Sequence, residues 1–287
     1  MTKLKSDIDT LIKLAFEEDL DELGDATTLA VVGEKQSVKA EFRSREEICF
    51  CGEEILSRCF QYLDTSLQIN FNKKDGDSVK AGELICTVEG NARAIITAER
   101  TALNFVQHLS GIATLTKQYI EALNSETTKL LDTRKTTPVY RHLEKYAVKC
   151  GGGNNHRIGL YDMIMIKDNH RALADMQGVD GIKRSVLACR EKYPELKVEV
   201  EVDTLEELKQ ALEAKADFIL LDNMTNETLT EAIKMRDTLN LNSKLEASGG
   251  ITIERLRTMG KLGLDFISVG AITHSARAVD IGLDIEL

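Results

Sequence analysis

Between Leu130 and His170 the sequence LLDTRKTTPVYRHLEKYAVKCGGGNNHRIGLYDMIMIKDNH carries Arg134, Lys135, Arg141, Lys145, Lys149, Arg157 and Lys167, in a chain whose formal net charge is -10. Several of these cations sit beside short apolar runs or glycines rather than on a solvated helix face, which points to a focused anion site. Carboxylates supply the second half of the chemistry. In VEVEVD the valines fall on one face of a strand and Glu199, Glu201 and Asp203 on the other. Strands of a parallel sheet covered on both sides are normally apolar on both faces, so these acids need a reason. An exposed edge strand tolerates such a face; the favoured alternative sends Glu201 into the mouth of a barrel, near the cations, with Asp222 at the end of the next strand. Arg100 is read into the first turn of a helix from Thr97 to about Leu123. There the helix dipole disfavours a cation by a few tenths to ~1 kcal/mol, so Arg100 either pairs with a carboxylate such as Glu99 or faces an anion together with the helix N-terminus.

These residues must be held by a scaffold. From Lys129 onward, short apolar runs end in polar or glycine residues and lead into helix-like sequence: Leu130-Leu131, Met163 to Ile166, Val198 to Val202, Phe218 to Leu221, Leu245 to Ala247 and Phe266 to Val269. Repeated strand-then-helix units predict a parallel sheet with helical crossovers, closed or nearly closed into a barrel. Barrel chemistry sits at the C-terminal strand ends, here Arg134, Lys135, Lys167, Asp222, Ser248 and Gly270.

The N-terminal part reads differently. Ser6 to Leu20 predicts a helix capped by Ser6, with Ile8, Leu11, Ile12, Ala15 and Phe16 as its apolar stripe. Val38, Ala40 and Phe42 alternate as a strand does, Ile48 to Cys51 predicts another, and a short helix runs from about Glu53 to Tyr62. LQINFNKKDGDSVKAGELICTVE (67 to 89) holds two alternating runs joined by turn residues. It superficially resembles half of a biotinyl or lipoyl carrier, but no lysine sits at a hairpin tip, so plain sheet scaffold is the better reading.

Composition narrows the class. With 287 residues and 43% hydrophobic content, the chain suits one large domain or a large and a small one. An acidic balance with pI near 5.2 argues against a nucleic-acid or membrane-surface role. No apolar run approaches the ~18 residues of a membrane span, and MTKLKSDIDTLIK is too charged for a secretory signal. Six scattered cysteines without a CxxC pair suggest neither zinc nor a disulfide frame, and a cytoplasmic location is expected.

AERTALNFVQHLSGIAT (98 to 114), DTRKTTP (132 to 138), EKYAVKCGGGNNHRIGLYD (144 to 162), IKDNH (166 to 170), EVEVDT (199 to 204), ILLDN (219 to 223), EASGGI (246 to 251) and SVGAITHS (268 to 275) together resemble the quinolinate phosphoribosyltransferase family. One departure is Val139-Tyr140, where the family usually has glycine followed by a large apolar residue. The resemblance implies an α/β protein: an N-terminal α/β sandwich domain, residues 1–108 joined by the C-terminal tail 276–287, and an incomplete catalytic barrel, 109–275, of about six or seven parallel strands. It also implies a homodimer or higher oligomer with shared active sites, in which Arg100 of one subunit closes over the other's barrel. The implied reaction converts quinolinate and phosphoribosyl pyrophosphate, with Mg²⁺ carried mainly by the latter, to nicotinate mononucleotide, pyrophosphate and CO₂ in NAD biosynthesis.

On that reading the two carboxylates of quinolinate meet Arg134, Arg157 and the partner's Arg100, with His156 and Lys135 alongside, since guanidinium forks bind carboxylates bidentately. Lys135 and Lys167 contact pyrophosphate or a carboxylate as point charges. Glu201 and Asp222 meet the ribose hydroxyls and Mg²⁺, and Ser248, Gly249, Gly250 and Gly270 receive the 5′-phosphate. No metal ligand set built from protein alone is expected. A relative of unassigned substrate associated with molybdenum transport matches less well at IKDNH. A sugar-phosphate isomerase leaves the arginines and acids unexplained, and a non-catalytic anion sensor needs neither Glu201 nor Asp222.

Overall fold

The computed structural model describes residues 2–176, 178, 180–239 and 242–286, with side chains from Ser6 onward. In chain order the elements are α1 (Thr2–Leu20), α2 (Ala26–Val31), β1 (Ser37–Ser44), β2 (Ile48–Cys49), α3 (Glu53–Leu63), β3 (Gln68–Phe71), β4 (Ser78–Val79), β5 (Leu84–Asn91), α4 (Ala92–Leu123), β6 (Lys129–Leu131), α5 (Arg141–Cys150), β7 (Ile164–Ile166), α6 (Asp168–Leu173), α7 (Gly181–Lys192), β8 (Val198–Val202), α8 (Leu205–Glu213), β9 (Phe218–Asp222), α9 (Asn226–Leu239), β10 (Lys244–Ser248), α10 (Ile253–Met259), β11 (Phe266–Ser268), α11 (Ala271–His274) and β12 (Ile281–Glu286). The chain forms two compact units, 1–117 with 136–152 and 271–287, and 118–135 with 153–270.

The first unit holds an antiparallel sheet in the order β12-β1-β5-β3 and a small β2-β4 pair. Ala40, Phe42, Cys86 and Val88 are fully buried, as the alternation in β1 and β5 requires. Along α1, Ile8, Leu11, Ile12 and Phe16 are buried. That helix starts before Ser6, which therefore lies inside it rather than capping it. By contacts α5 belongs to the first unit, where Leu143, Ala147 and Val148 bury its apolar face. Gly111 packs closely here, because a Cβ at that position would stand 2.0 Å from the Arg277 carbonyl oxygen.

Val139 resolves the family departure. Its φ is 63°, the left-handed region where a β-branched residue is strained by about 1–2 kcal/mol. At 78% exposure, few contacts compensate. Val139→Gly is expected to raise the thermal midpoint by about 1–3 °C, since glycine's larger unfolded-state entropy offsets only ~0.5–1 kcal/mol of the relief. A melt that stays level or falls would show that position 139 carries no such strain.

The second unit is a parallel sheet, β6-β11-β10-β9-β8-β7. All six predicted strands are present, and the first and last in sequence, β6 and β11, lie side by side. The circle is therefore open between β6 and β7, where an isolated parallel bridge from Leu131 to Asn154 narrows the gap. Val198, Val200 and Val202 are fully buried, each stabilising by about 1.5–3 kcal/mol, while Glu199 and Glu201 take the opposite face. A one-residue slip of β8 would exchange the two faces, so this pattern pins the register.

Candidate active site

Register carries the chemistry to one end of the sheet. Glu201 lies beside Leu220 and Leu220 beside Glu246; one layer further along, Asp222 lies beside Ser248. On the β11 side, Ser268 lies beside Leu131. Above these layers opens a cavity of about 430 Å³ whose charged walls are Arg134, Lys135, Arg157, Lys167, Glu201 and Asp222, with Glu246 at its floor. The acids of β8 thus face the barrel interior rather than solvent.

The cations come from the loops after β6 and before β7 and, for Lys167, from the end of β7. Arg157 donates from Nη1 to the Met163 carbonyl at 3.1 Å and from Nη2 to Met165 Sδ at 3.4 Å. Burial and the neighbouring Arg134 guanidinium lower its pKa, so the pair repel one another and an anion between them is favourable. Asp162 braces this loop by accepting the backbone N–H of Ile158 and Gly159, both at 2.7 Å. Lys167 forms an ion pair with Glu201.

His156 turns both ring nitrogens toward protein. The Arg157 backbone N–H donates to Nδ1 at 2.7 Å, while Nε2 stands 3.2 Å from Glu199 and 3.4 Å from Glu246. Burial opposes a protonated ring and the two carboxylates would raise its pKa to about 10. A proton on Nδ1 would, however, point at the Arg157 N–H, so the ring keeps a single proton on Nε2. These three side chains are close enough to hold an ion, but a protonated Nε2 cannot ligate. Burial and Glu246 push Glu199 up to about 7.

In the first unit Cys51, Asp75 and Cys150 also lie close together. Asp75 is already committed: Oδ1 accepts Gly52 and Glu53 N–H, and Oδ2 accepts the Tyr146 hydroxyl at 2.7 Å.

Glycine geometry is required at one strand end. Gly249 has φ 87°, and a Cβ there would lie 2.2 Å from Asn223 Oδ1. Arg255 ties the ends of β9 and β10 together through the Met224 and Gly249 carbonyls.

Among the predicted site residues, Arg134, Lys135, His156, Arg157, Lys167, Glu201, Asp222 and Ser248 line the cavity, and Gly249, Gly250 and Gly270 do not. Arg100 is exposed on α4 in the first unit. Because α4 begins at Ala92, Arg100 lies well inside it, and the first-turn dipole argument does not apply. Arg141, Lys145 and Lys149 sit on α5 in the first unit, so only four of the seven clustered cations wall the cavity.

Sequence reasoning missed Asp132, Glu199 as a floor residue, and Glu246. Asp132 is fully buried and accepts His156 N–H at 2.8 Å and Asn155 Nδ2–H at 2.6 Å. Glu246 was findable by the logic applied to Glu201, as an acid between Leu245 and Ala247 in a short apolar strand.

An open parallel α/β barrel with guanidinium and ammonium groups facing strand-borne acids at the strands' C-terminal ends suits an enzyme site for an anionic substrate. Residues 25–110 match the family described as Quinolinate phosphoribosyl transferase, N-terminal domain, and residues 112–284 its C-terminal domain. A probable nicotinate-nucleotide pyrophosphorylase [carboxylating] of Bacillus subtilis is 43% identical over 96% of this chain and 93% of its own length. The corresponding protein of Mycobacterium leprae is 40% identical over 96% and 95%. The solved nicotinate-nucleotide pyrophosphorylase of Francisella tularensis superposes with a TM-score of 0.90 at 40% identity, covering 98% of this chain and 96% of that one. The chain belongs to the quinolinate phosphoribosyltransferase family.

Proposed function

We infer that the protein transfers the phosphoribosyl group of phosphoribosyl pyrophosphate to quinolinate with decarboxylation, yielding nicotinate mononucleotide, pyrophosphate and CO₂ for NAD synthesis. The observation that carries this reading is one cavity in which Arg134 and Arg157 stand with Lys135 and Lys167 opposite Glu201 and Asp222. Its volume falls within the ~300–1,000 Å³ common for small-molecule sites.

In this reading Arg134 and Arg157 take the two quinolinate carboxylates, with Lys135 at the rim. Lys167 leaves Glu201 for the pyrophosphate. As the C1–O bond to pyrophosphate breaks, positive charge grows on the ribose, and Glu201 stabilises it. The pyridine nitrogen then bonds to C1. The resulting ring cation accepts the electron pair left when the 2-carboxylate departs as CO₂, and a proton replaces it. Positioning of the ring, rather than a covalent nucleophile, is what the protein supplies. Glu201 and Asp222 would hold Mg²⁺ through the substrate; these two acids at the strand ends, with Glu246 turned to His156 on the floor, fit an ion arriving on phosphate oxygens. That ion supplies charge neutralisation of the leaving group.

A product assay with quinolinate, phosphoribosyl pyrophosphate and Mg²⁺ tests the reading. Nicotinate mononucleotide and CO₂ should appear in equal amounts, and nicotinate should not substitute. A folded sample that leaves quinolinate untouched overturns it.

A cytoplasmic homodimer, in which Arg100 reaches the partner's barrel, completes the proposal. Arg100→Ala and Arg157→Ala should each lose nearly all activity at subsaturating quinolinate, and exchanging their subunits should restore activity through hybrids with one intact site. Verified hybrids that remain silent would place Arg100 outside the site.

A further inference from the structure

The barrel floor holds two acids that the reaction does not use. Glu199 and Glu246 are 0% and 1% exposed, and Glu199 receives no well-directed hydrogen bond at either oxygen. Burying carboxylates so poorly solvated is destabilising unless something local is gained. What they share is His156, whose Nε2 lies between them at 3.2 and 3.4 Å.

His156 belongs to a short segment gripped from two directions. Asp132 fixes its backbone, taking the His156 N–H at 2.8 Å and the Asn155 side chain at 2.6 Å. The floor acids take the ring. The ring in turn takes the backbone N–H of Arg157 at 2.7 Å, so the side chain that presents a fork to the substrate starts from a peptide anchored on the His156 imidazole. Glu199 also favours the Arg157 cation electrostatically, against burial and the repulsion of Arg134.

We propose that Glu199 and Glu246 are paired positioning residues for quinolinate, gripping His156 from within the barrel and thereby aiming the Arg157 guanidinium. Glu199 does not reach the cavity and Glu246 reaches it only at the floor, so neither is a substrate ligand in this reading. Their effect passes through the chain Glu199/Glu246 to imidazole to the Arg157 peptide, and it bears on the dicarboxylate half of the site, not on the half that holds the phosphoribosyl group. This rests on the quinolinate reading above.

Glu199→Gln and Glu246→Gln preserve side-chain volume while removing the charge and placing an amide N–H within reach of the imidazole N–H. In the full-length protein each should raise the quinolinate KM about tenfold, as expected for a disturbed buried contact between a charged group and the imidazole. The KM for phosphoribosyl pyrophosphate should stay within about twofold, a split that general loosening of the barrel would not produce. His156→Leu should raise the quinolinate KM by itself, and adding either glutamine to it should change the KM less than about twofold further, because residues acting in series are not additive.

Parallel rises in both KM values, a loss confined to kcat, or full additivity with His156→Leu overturns the proposal. Failure of both single variants to fold also overturns it, since the acids would then be structural. If the wild-type enzyme does not consume quinolinate, the functional reading falls and the proposal falls with it. An active wild type with unselective variants rejects the proposal alone.

Discussion

Glu201→Ala is expected to lower kcat by about 10²–10³-fold, the usual loss when one preorganised group facing transition-state charge is removed. The quinolinate KM should move less than about threefold, because a carboxylate contributes little to holding a dianion. Glu201 sits on β8 with its side chain 19% exposed, paired with Lys167. Partial burial makes its charge more effective than the same charge in water, and its strand fixes where that charge points. Glu201→Gln keeps the shape and should recover only a small part of the rate. Intact turnover at saturating substrate, with only the quinolinate KM raised, would remove Glu201 from the chemical step.

Arg157→Ala should weaken quinolinate binding by about 10²–10³-fold, within the range for truncating one partner of a buried, hydrogen-bonded charge pair. The loss should sit in the quinolinate KM and in direct titration of the free enzyme. Arg157→Lys should recover little, because an ammonium cannot make the two parallel bonds of a planar fork. Two nitrogens of Arg157 are already anchored, to the Met163 carbonyl and to Met165 Sδ, which preorganises the group before substrate arrives. Unchanged quinolinate affinity in Arg157→Ala would mean that this arginine serves only to brace the loop before β7.

What the sequence revealed depended on range. The six barrel strands were legible because each is a short apolar run with a polar or glycine end, a local pattern. β8 was legible in more detail, since alternating valine and glutamate admit few placements. The start of α4 was not, because Asn91 supplies the acceptor for the Ala94 N–H at 3.1 Å, and ARAIIT does not announce a start as loudly as Thr97 does. The six-residue α2, capped by Asp25 through the Thr28 N–H, was too short to show a period. Arg134 and Arg157 could be named from residue type beside Asp132 and His156. That His156 turns both nitrogens into the protein could not, because Glu199 and Glu246 are distant in sequence and meet it only through sheet register. Likewise, nothing local says that α5 joins the first unit and removes three lysines and arginines from the cation cluster.

The strand order of the first unit bears on how the molecule is made. β1 lies between β5 and β12, and its pairing with β12 runs from Lys39 beside Glu286 to Ser44 beside Ile281, with ion pairs from Lys39 to Glu286 and from Arg45 to Asp284. During synthesis β1 emerges among the earliest elements and then waits for the last. Until residues 281–286 clear the ribosome, one edge of β1 is bare, and such edges recruit strands from other chains. A nascent chain stalled just after the barrel would therefore hold a finished parallel sheet and an unfinished, adhesive antiparallel one.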